Sequence, residues 1–190
     1  MGEKEFGPAM DKNVVKVMSF CSECGGPMKR VRKDYRFVES GLENVILRDI
    51  EVDVCPKCGD SPRIYRINEV FLTIAAGLIA KPFELTGREV RFLRKTLEVG
   101  IEDFARKLGV DRSHLSRLEN GALTISRQTD RLVRTLALLH RPELMEKLTS
   151  LDVREIVLKR LEEIKPEAAT FTVELTQTPG GYSFELERAA

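Results

Sequence analysis

The chain of 190 residues contains no tryptophan and only two histidines. It also lacks a long hydrophobic run, because the longest apolar stretch, Val70 to Ala80, includes Thr73 and Gly77 and is too short to cross a bilayer. The first residues have no apolar segment of the kind found in signal peptides. We therefore expect a soluble, cytoplasmic protein in which residues 1–12 are disordered.

Motifs of the common enzyme classes are also absent. The sequence has no Ser-His-Asp arrangement, no phosphate-binding loop and no HExxH motif. Neither His114 nor His140 is needed as a metal ligand, since four cysteines can satisfy one ion. We expect a protein without catalytic activity.

The net charge of +1 conceals an uneven distribution. Residues 1–80 hold 12 basic and 12 acidic side chains, whereas residues 81–141 hold 13 basic and 8 acidic ones. Residues 142–190 hold 6 basic and 10 acidic ones. A local positive excess favours a polyanion through counterion release, and its modest size suggests that two copies act together.

All four cysteines lie in two CxxC pairs that are each followed by glycine: Cys21, Cys24, Cys55 and Cys58. Two residues between cysteines let both thiolates point at one ion, and two such knuckles complete a tetrahedral shell of sulfurs. We expect one structural Zn²⁺ per chain, because a closed shell leaves no position for a reacting water. The alternatives are iron, in an iron-sulfur cluster, a pair of disulfides and a redox dithiol.

Alternating and β-branched residues predict two hairpins. The first joins Met28–Val38 to Leu42–Val54 through a turn at Glu39-Ser40-Gly41. So small a sheet needs a metal to stabilise it. The second surrounds Pro179-Gly180-Gly181, and its alternating apolar residues are Phe171, Val173, Leu175, Tyr182, Phe184 and Leu186. Its apolar face must pack on the zinc domain, on a second copy or on a partner.

Helical apolar spacing predicts a connector helix between Ile64 and Ala80. The run Arg127–Leu139 predicts another helix, and further helices are expected at Pro142–Leu148 and from Asp152 to just before Pro166. The predicted inner face of the Arg127–Leu139 helix comprises Leu132, Leu136 and Leu139. The apolar stripe of the last helix is a candidate dimer seam, although packing within the subunit explains it equally well.

The central stretch Thr86–Asn120 contains three short segments with helical apolar spacing. Their apolar positions are Val90, Leu93 and Leu97, then Phe104, Ala105 and Leu108, then Leu115 and Leu118. Between the last two segments, Gly109 can adopt the left-handed conformation, Val110 can fill the corner and Asp111 can cap the next helix. This pattern predicts a tight helix-turn-helix corner.

The helix after the corner carries a polar face. A helix of this kind can enter the major groove of DNA, where its side chains meet base edges and phosphates. The candidate DNA-binding residues on it are Arg112, Ser113, His114, Ser116 and Arg117. Arg127 and Arg131, in the following helix, are candidate phosphate contacts.

The residues from about Leu85 to Leu139, with the segments FARKLGV and SHLSRLENG, resemble the Xre-type, lambda-repressor-like helix-turn-helix family. Many members open their second helix with Ser-Gln, and that glutamine usually contacts the DNA backbone. This chain has Gly100-Ile101 there. The resemblance implies binding to double-stranded DNA.

A two-knuckle zinc module before such a segment resembles the arrangement of YgiT/MqsA-type antitoxins. That resemblance implies that Cys21, Cys24, Cys55 and Cys58 hold zinc. It also implies that the zinc domain binds and blocks a toxin, while the other domain dimerises and represses the operon. The chain departs from the arrangement in its longer N-terminus, its apolar connector and its long C-terminal extension.

The sequence predicts an α+β multi-domain fold: a zinc-stapled β domain at 1–62, a helical connector at 63–82, a helix-turn-helix domain at 83–141 and C-terminal helices with a β-hairpin at 142–190. The last region is a candidate for dimerisation or partner binding. We expect a homodimeric repressor that binds a palindromic operator, as the antitoxin of a type II toxin–antitoxin pair with a toxin protein as second partner. The alternative is a free-standing, zinc-stabilised Xre-family regulator without a toxin.

Overall fold

The computed structural model describes residues 19–59, 62–148 and 171–188. These residues form six α-helices and five β-strands, which confirms the predicted α+β class. Residues 1–12 and the helix predicted from Asp152 lie outside the described residues. No helix in the described part of the chain is long and apolar enough to span a membrane.

The strands form one mixed sheet. They are β1 (Lys29–Arg36), β2 (Val45–Val54), β3 (Arg63–Ile64), β4 (Phe171–Thr178) and β5 (Gly181–Arg188). The order is β1-β2-β4-β5, and the short β3 pairs with β2 as well. β1 and β2 are antiparallel, and their connection contains Gly41 in the left-handed conformation at φ 77°, at the turn that the sequence predicts.

The C-terminal hairpin joins the sheet through β4, which runs parallel to β2 with Val173 opposite Val45. Arg48 of β2 pairs with Glu174 of β4 at 2.5 Å. Val173 and Leu175 are fully buried on the inner face of the sheet. The sequence leaves three packing sites open for this hairpin, and in the structure it packs on the cysteine-bearing region. The four predicted domain boundaries stay predictions.

Helix α1 (Ile67–Ala80) covers the inner face of the sheet. Its predicted apolar positions Val70, Ile74 and Leu78 are fully buried. At Gly77 the helix comes so close to the sheet that a Cβ atom would lie 3.1 Å from Val173 and 3.3 Å from Phe184. The connector is therefore part of the core of the protein.

Five further helices follow the connector in the described residues. They are α2 (Gly87–Thr96), α3 (Ile101–Leu108), α4 (Arg112–Glu119), α5 (Arg127–His140) and α6 (Pro142–Lys147). Thr86 caps α2 by accepting a hydrogen bond from the Glu89 amide, while the Glu89 carboxylate accepts one from the Thr86 amide. This reciprocal cap satisfies two amides that a helix start leaves free.

The prediction for the inner face of α5 is wrong. Leu139 is 73% exposed and Leu132 is 36% exposed, and Leu136 is only partly buried. The helix instead buries Val133, Ala137, Leu138, Asp130 and Arg134. The apolar spacing predicted the wrong inner face of α5, because the prediction assigned every charged residue to the surface.

Arg134 explains why α5 buries a different face from the predicted one. Its guanidinium is 1% exposed and donates hydrogen bonds to the carbonyl oxygens of Leu78, Ile79, Lys81 and Phe83, at 2.6 to 3.1 Å. It also pairs with Asp130 at 2.6 Å, and Asp130 accepts the Leu85 amide at 2.5 Å. Arg134 thus fixes the end of α1 and the segment after it to α5.

A second buried ion pair lies at the same junction. The Lys81 ammonium contacts the Glu89 carboxylate at 2.7 Å, and both side chains are nearly inaccessible to water. Glu89 also caps α2, so this pair joins the connector to the first turn of α2. The two ion pairs hold the sheet and the following helices in one arrangement.

Candidate metal centre and nucleic-acid interface

The four cysteine sulfurs form one cluster. Their Sγ atoms all lie within 4.8 Å of one another, with Cys21 to Cys58 and Cys24 to Cys55 both at 3.5 Å. A tetrahedral metal with bonds of about 2.3 Å places its sulfurs about 3.8 Å apart. The pairs are too far apart for disulfide bonds, which are about 2.05 Å long. The cluster fits a metal ion with four sulfur ligands.

The loops around the cluster prepare it for a cation. Gly25 and Gly59 adopt left-handed conformations at φ 67° and 68° and close the two knuckles through bonds to the carbonyls of Cys21 and Cys55. The backbone amides of Cys58 and Lys57 hydrogen-bond to the Cys55 sulfur and lower the pKa of Cys55 to about 6. The thiolate is the form of cysteine that binds metals.

The first knuckle is anchored to β2 through a buried carboxylate. Asp53 accepts hydrogen bonds from the Ser19 hydroxyl at 2.7 Å, from Arg30 at 3.1 Å and from the Tyr65 hydroxyl. Burial raises the pKa of Asp53, but the bonds from Tyr65, Ser19 and Arg30 together hold it below its usual value. The carboxylate therefore remains charged and keeps the segment before Cys21 in place.

Loss of one cysteine is expected to weaken metal binding. In Cys55→Ser we expect less than stoichiometric metal and a free energy of unfolding lower by about 3 kcal/mol or more, since metal-binding energy is folding energy in such sites. Elemental analysis of protein purified without chelator, followed by thermal unfolding, measures both quantities. Ser22→Ala, an exposed change in the other knuckle of the same cluster, is the control. An unfolding temperature that a chelator leaves unchanged would contradict a stabilising metal.

The corner between α3 and α4 has the predicted geometry. Gly109 is left-handed at φ 69°, and the Val110 amide returns to the Ala105 carbonyl at 3.0 Å. Asp111 caps α4 by accepting the His114 amide at 2.8 Å. A glycine ends one helix here and a carboxylate begins the next, as the sequence indicates.

Helix α4 presents a polar face on an apolar base. Leu115 and Leu118 are buried at 0% and 2% exposure, as predicted. The exposed candidate residues are Arg112, Ser113, His114 and Arg117, and Ser116 is half-buried. Arg127 is exposed at the first position of α5. The structure therefore brings the five α4 candidates together, while their contact with DNA stays a prediction.

Residues 86–147 match the family model described as a helix-turn-helix domain. These residues form a helix-turn-helix domain. The match covers about a third of the chain and lies outside the cysteine cluster. No curated protein and no solved structure matches the chain. The helix-turn-helix domain indicates a DNA-binding regulator of transcription rather than an enzyme.

Sequence reasoning missed the ion pair that orients α4 within the helix-turn-helix domain. Arg94 of α2 holds Glu119 of α4 with two bonds, of 2.6 and 2.8 Å, and also donates to the Val99 carbonyl at 3.1 Å. Glu119 supports the positive charge of Arg94 and raises its pKa further. Apolar spacing carries no signal for such a pair, because the two residues are 25 positions apart.

Proposed function

We propose that the protein is a metal-stabilised transcriptional repressor that reads DNA with α4. The exposed polar face of α4 carries this proposal, because its donors stand on a helix fixed by Leu115, Leu118 and the Arg94–Glu119 pair. Arginine can pair bidentately with guanine in the major groove, and serine or histidine can bond to bases or phosphates. The expected operator contacts on α4 are Arg112, Ser113, His114, Ser116 and Arg117, and Arg127 is expected to contact phosphate.

We propose Zn²⁺ as the metal, held by all four cysteines. Four thiolates in a tetrahedral arrangement suit zinc best, with iron as the main competitor. When bound, the ion closes its coordination shell and supplies folding energy without an open position for chemistry. The cysteine knuckles then hold the start of β1 beside the end of β2.

The repressor is proposed to act as a homodimer. The helix-turn-helix region from 81 to 141 has a net charge of only +5, and α4 is eight residues long. One such helix reads only a few base pairs, whereas two related by a two-fold axis read a palindrome. Two copies also double the charge that attracts the phosphate backbone.

Replacing Arg112 tests the proposal. For Arg112→Ala we expect a loss of about 1–3 kcal/mol in binding to an operator selected from a random duplex library, with binding to unrelated DNA nearly unchanged. Arg112 is exposed and its ion pair with Glu102, at 3.6 Å, is exposed as well, so the fold should survive. Fluorescence anisotropy with both duplexes at one salt concentration gives the two affinities. An equal loss of affinity for both duplexes would make Arg112 a phosphate contact. If the unaltered protein bound neither duplex, the proposed function would be refuted.

Within this function, we propose that the protein is an antitoxin. A cysteine knuckle region joined to a helix-turn-helix domain supports the idea, since that order of modules resembles YgiT/MqsA-type antitoxins. A native mass spectrum of protein purified from its source reports metal, copy number and partners together. A stoichiometric second protein that is lost on toxin-gene deletion supports an antitoxin, whereas a metal-loaded dimer alone supports a free-standing regulator.

A further inference from the structure

A shallow groove lies on the helix-turn-helix domain beside the polar face of α4. It has a volume of about 210 Å³ and is lined by Arg91, Arg94, Ile101, Ser116, Glu119 and Asn120. Three helices contribute to it: α2, the first residue of α3, and α4 with the residue that follows it. The groove is therefore a fixed feature of the packed helices.

The floor of the groove is neutral. Arg94 and Glu119 cancel each other in a two-bonded pair whose side chains are 12% and 4% exposed. Glu119 has both carboxylate oxygens on Arg94, so it does not neutralise a second cation. Arg94 is likewise committed, because its remaining Nη1 bonds to the Val99 carbonyl.

Arg91 gives the groove its charge. It is exposed, and among the residues that the structure describes none forms an ion pair with it. Arg88, one turn earlier on α2, differs because it is paired with Glu43. The groove thus carries one positive charge, on a side chain whose five N–H donors are not used within the described chain.

Two neutral donors face the same space. Ser116 and Asn120 are four residues apart, so they lie on one side of α4, and Arg112 lies one further turn back on that side. The start of α3 adds no side-chain donor, since Gly100 and Ile101 have none. A guanidinium, a hydroxyl and an amide around a small groove form a donor set suited to a phosphate oxygen.

We propose that this groove holds a phosphodiester group of the DNA backbone, with Arg91 as its charged contact. This inference rests on the proposed DNA-binding function and extends it to a residue outside α4 and α5. Arg91 carries no sequence information in this role, because phosphates are the same at every base pair. It fixes the position of the domain on the duplex while α4 reads the bases.

The test compares Arg91→Ala with Arg88→Ala. We expect Arg91→Ala to weaken binding to the operator and to random DNA by the same factor, about tenfold, and to lower the slope of log K against log salt by about one for each bound subunit. Arg88→Ala removes an arginine that is also exposed but is paired with Glu43, so its affinity should change less than about twofold and its slope by much less than one. Both variants should unfold at the temperature of the unaltered protein.

Three results would overturn the inference. One is an Arg91→Ala protein with unchanged affinity and slope; another is a loss confined to the operator, which would make Arg91 a base contact. Equal losses for Arg88→Ala would mean that only net charge matters. Arg112→Ala separates a failure of this inference from a failure of the proposed function. If Arg112→Ala weakens operator binding selectively while Arg91→Ala has no effect, the proposed DNA-binding function stands and only the groove contact is refuted.

Discussion

Replacement of Gly87 by alanine is expected to destabilise the helix-turn-helix domain by about 3 kcal/mol or more, at the upper end of overpacking effects. A Cβ atom at Gly87 would lie 2.0 Å from the main-chain oxygen of Leu118 and 3.0 Å from its carbonyl carbon. The obstacle is backbone near the end of α4, so no side chain can rotate away. Either α2 or α4 must move, and the Arg94–Glu119 pair then loses its geometry.

Gly100→Ala is the matched control for Gly87→Ala. Gly100 is the N-cap residue of α3 in the same domain. A Cβ atom there would have nothing within 4 Å, and the φ of −62° suits any residue. We expect a change of less than about 0.5 kcal/mol. Urea unfolding followed by circular dichroism measures both variants. Equal stability of Gly87→Ala and the unaltered protein would mean that α2 and α4 are packed less closely than described.

Removal of the buried Arg134 charge is expected to cost about 3–5 kcal/mol in Arg134→Met. Methionine fills much of the space, but it leaves Asp130 as an uncompensated buried anion. It also leaves the carbonyls of Leu78, Ile79, Lys81 and Phe83 without their donor. The penalty therefore has two parts, one from charge and one from lost hydrogen bonds.

The double variant Arg134→Met/Asp130→Asn separates these parts. Asparagine keeps an oxygen that accepts the Leu85 amide and removes the unpaired charge, so we expect part of the lost stability to return. Arg127→Ala, an exposed change on the same helix, should alter the free energy of unfolding by less than about 0.5 kcal/mol. A double variant less stable than Arg134→Met would show that the asparagine side chain is itself unsatisfied.

Local patterns predicted much of the fold. The CxxC spacing identified the four sulfurs that cluster, and Gly109 with Asp111 identified the corner between α3 and α4. Both hairpins and the inner face of α1 also follow from short-range alternation or helical spacing. Such signals succeed because the residues that form each feature are close in sequence.

The remaining features depend on residues that are far apart. The inner face of α5 was predicted wrongly because Arg134, a residue type usually found at the surface, is buried to serve the carbonyls at the end of α1. The Arg94–Glu119 pair and the groove beside Arg91 also arise only when α2, α3 and α4 meet. No periodicity within one segment contains this information.

The parallel pairing of β2 with β4 sets an order of events during synthesis. Arg48 and Glu174, which meet across it, are 126 positions apart, and the whole helix-turn-helix match lies between them. The ribosome therefore releases the helices of the helix-turn-helix domain before β4 and β5 exist. Until β4 and β5 arrive, one edge of β2 and the side of α1 around Gly77 lack the strands that cover them in the described part of the chain. We therefore expect the nascent chain to pass through a state in which the helix-turn-helix domain has been synthesised and the sheet is still open to chaperones, proteases or another chain.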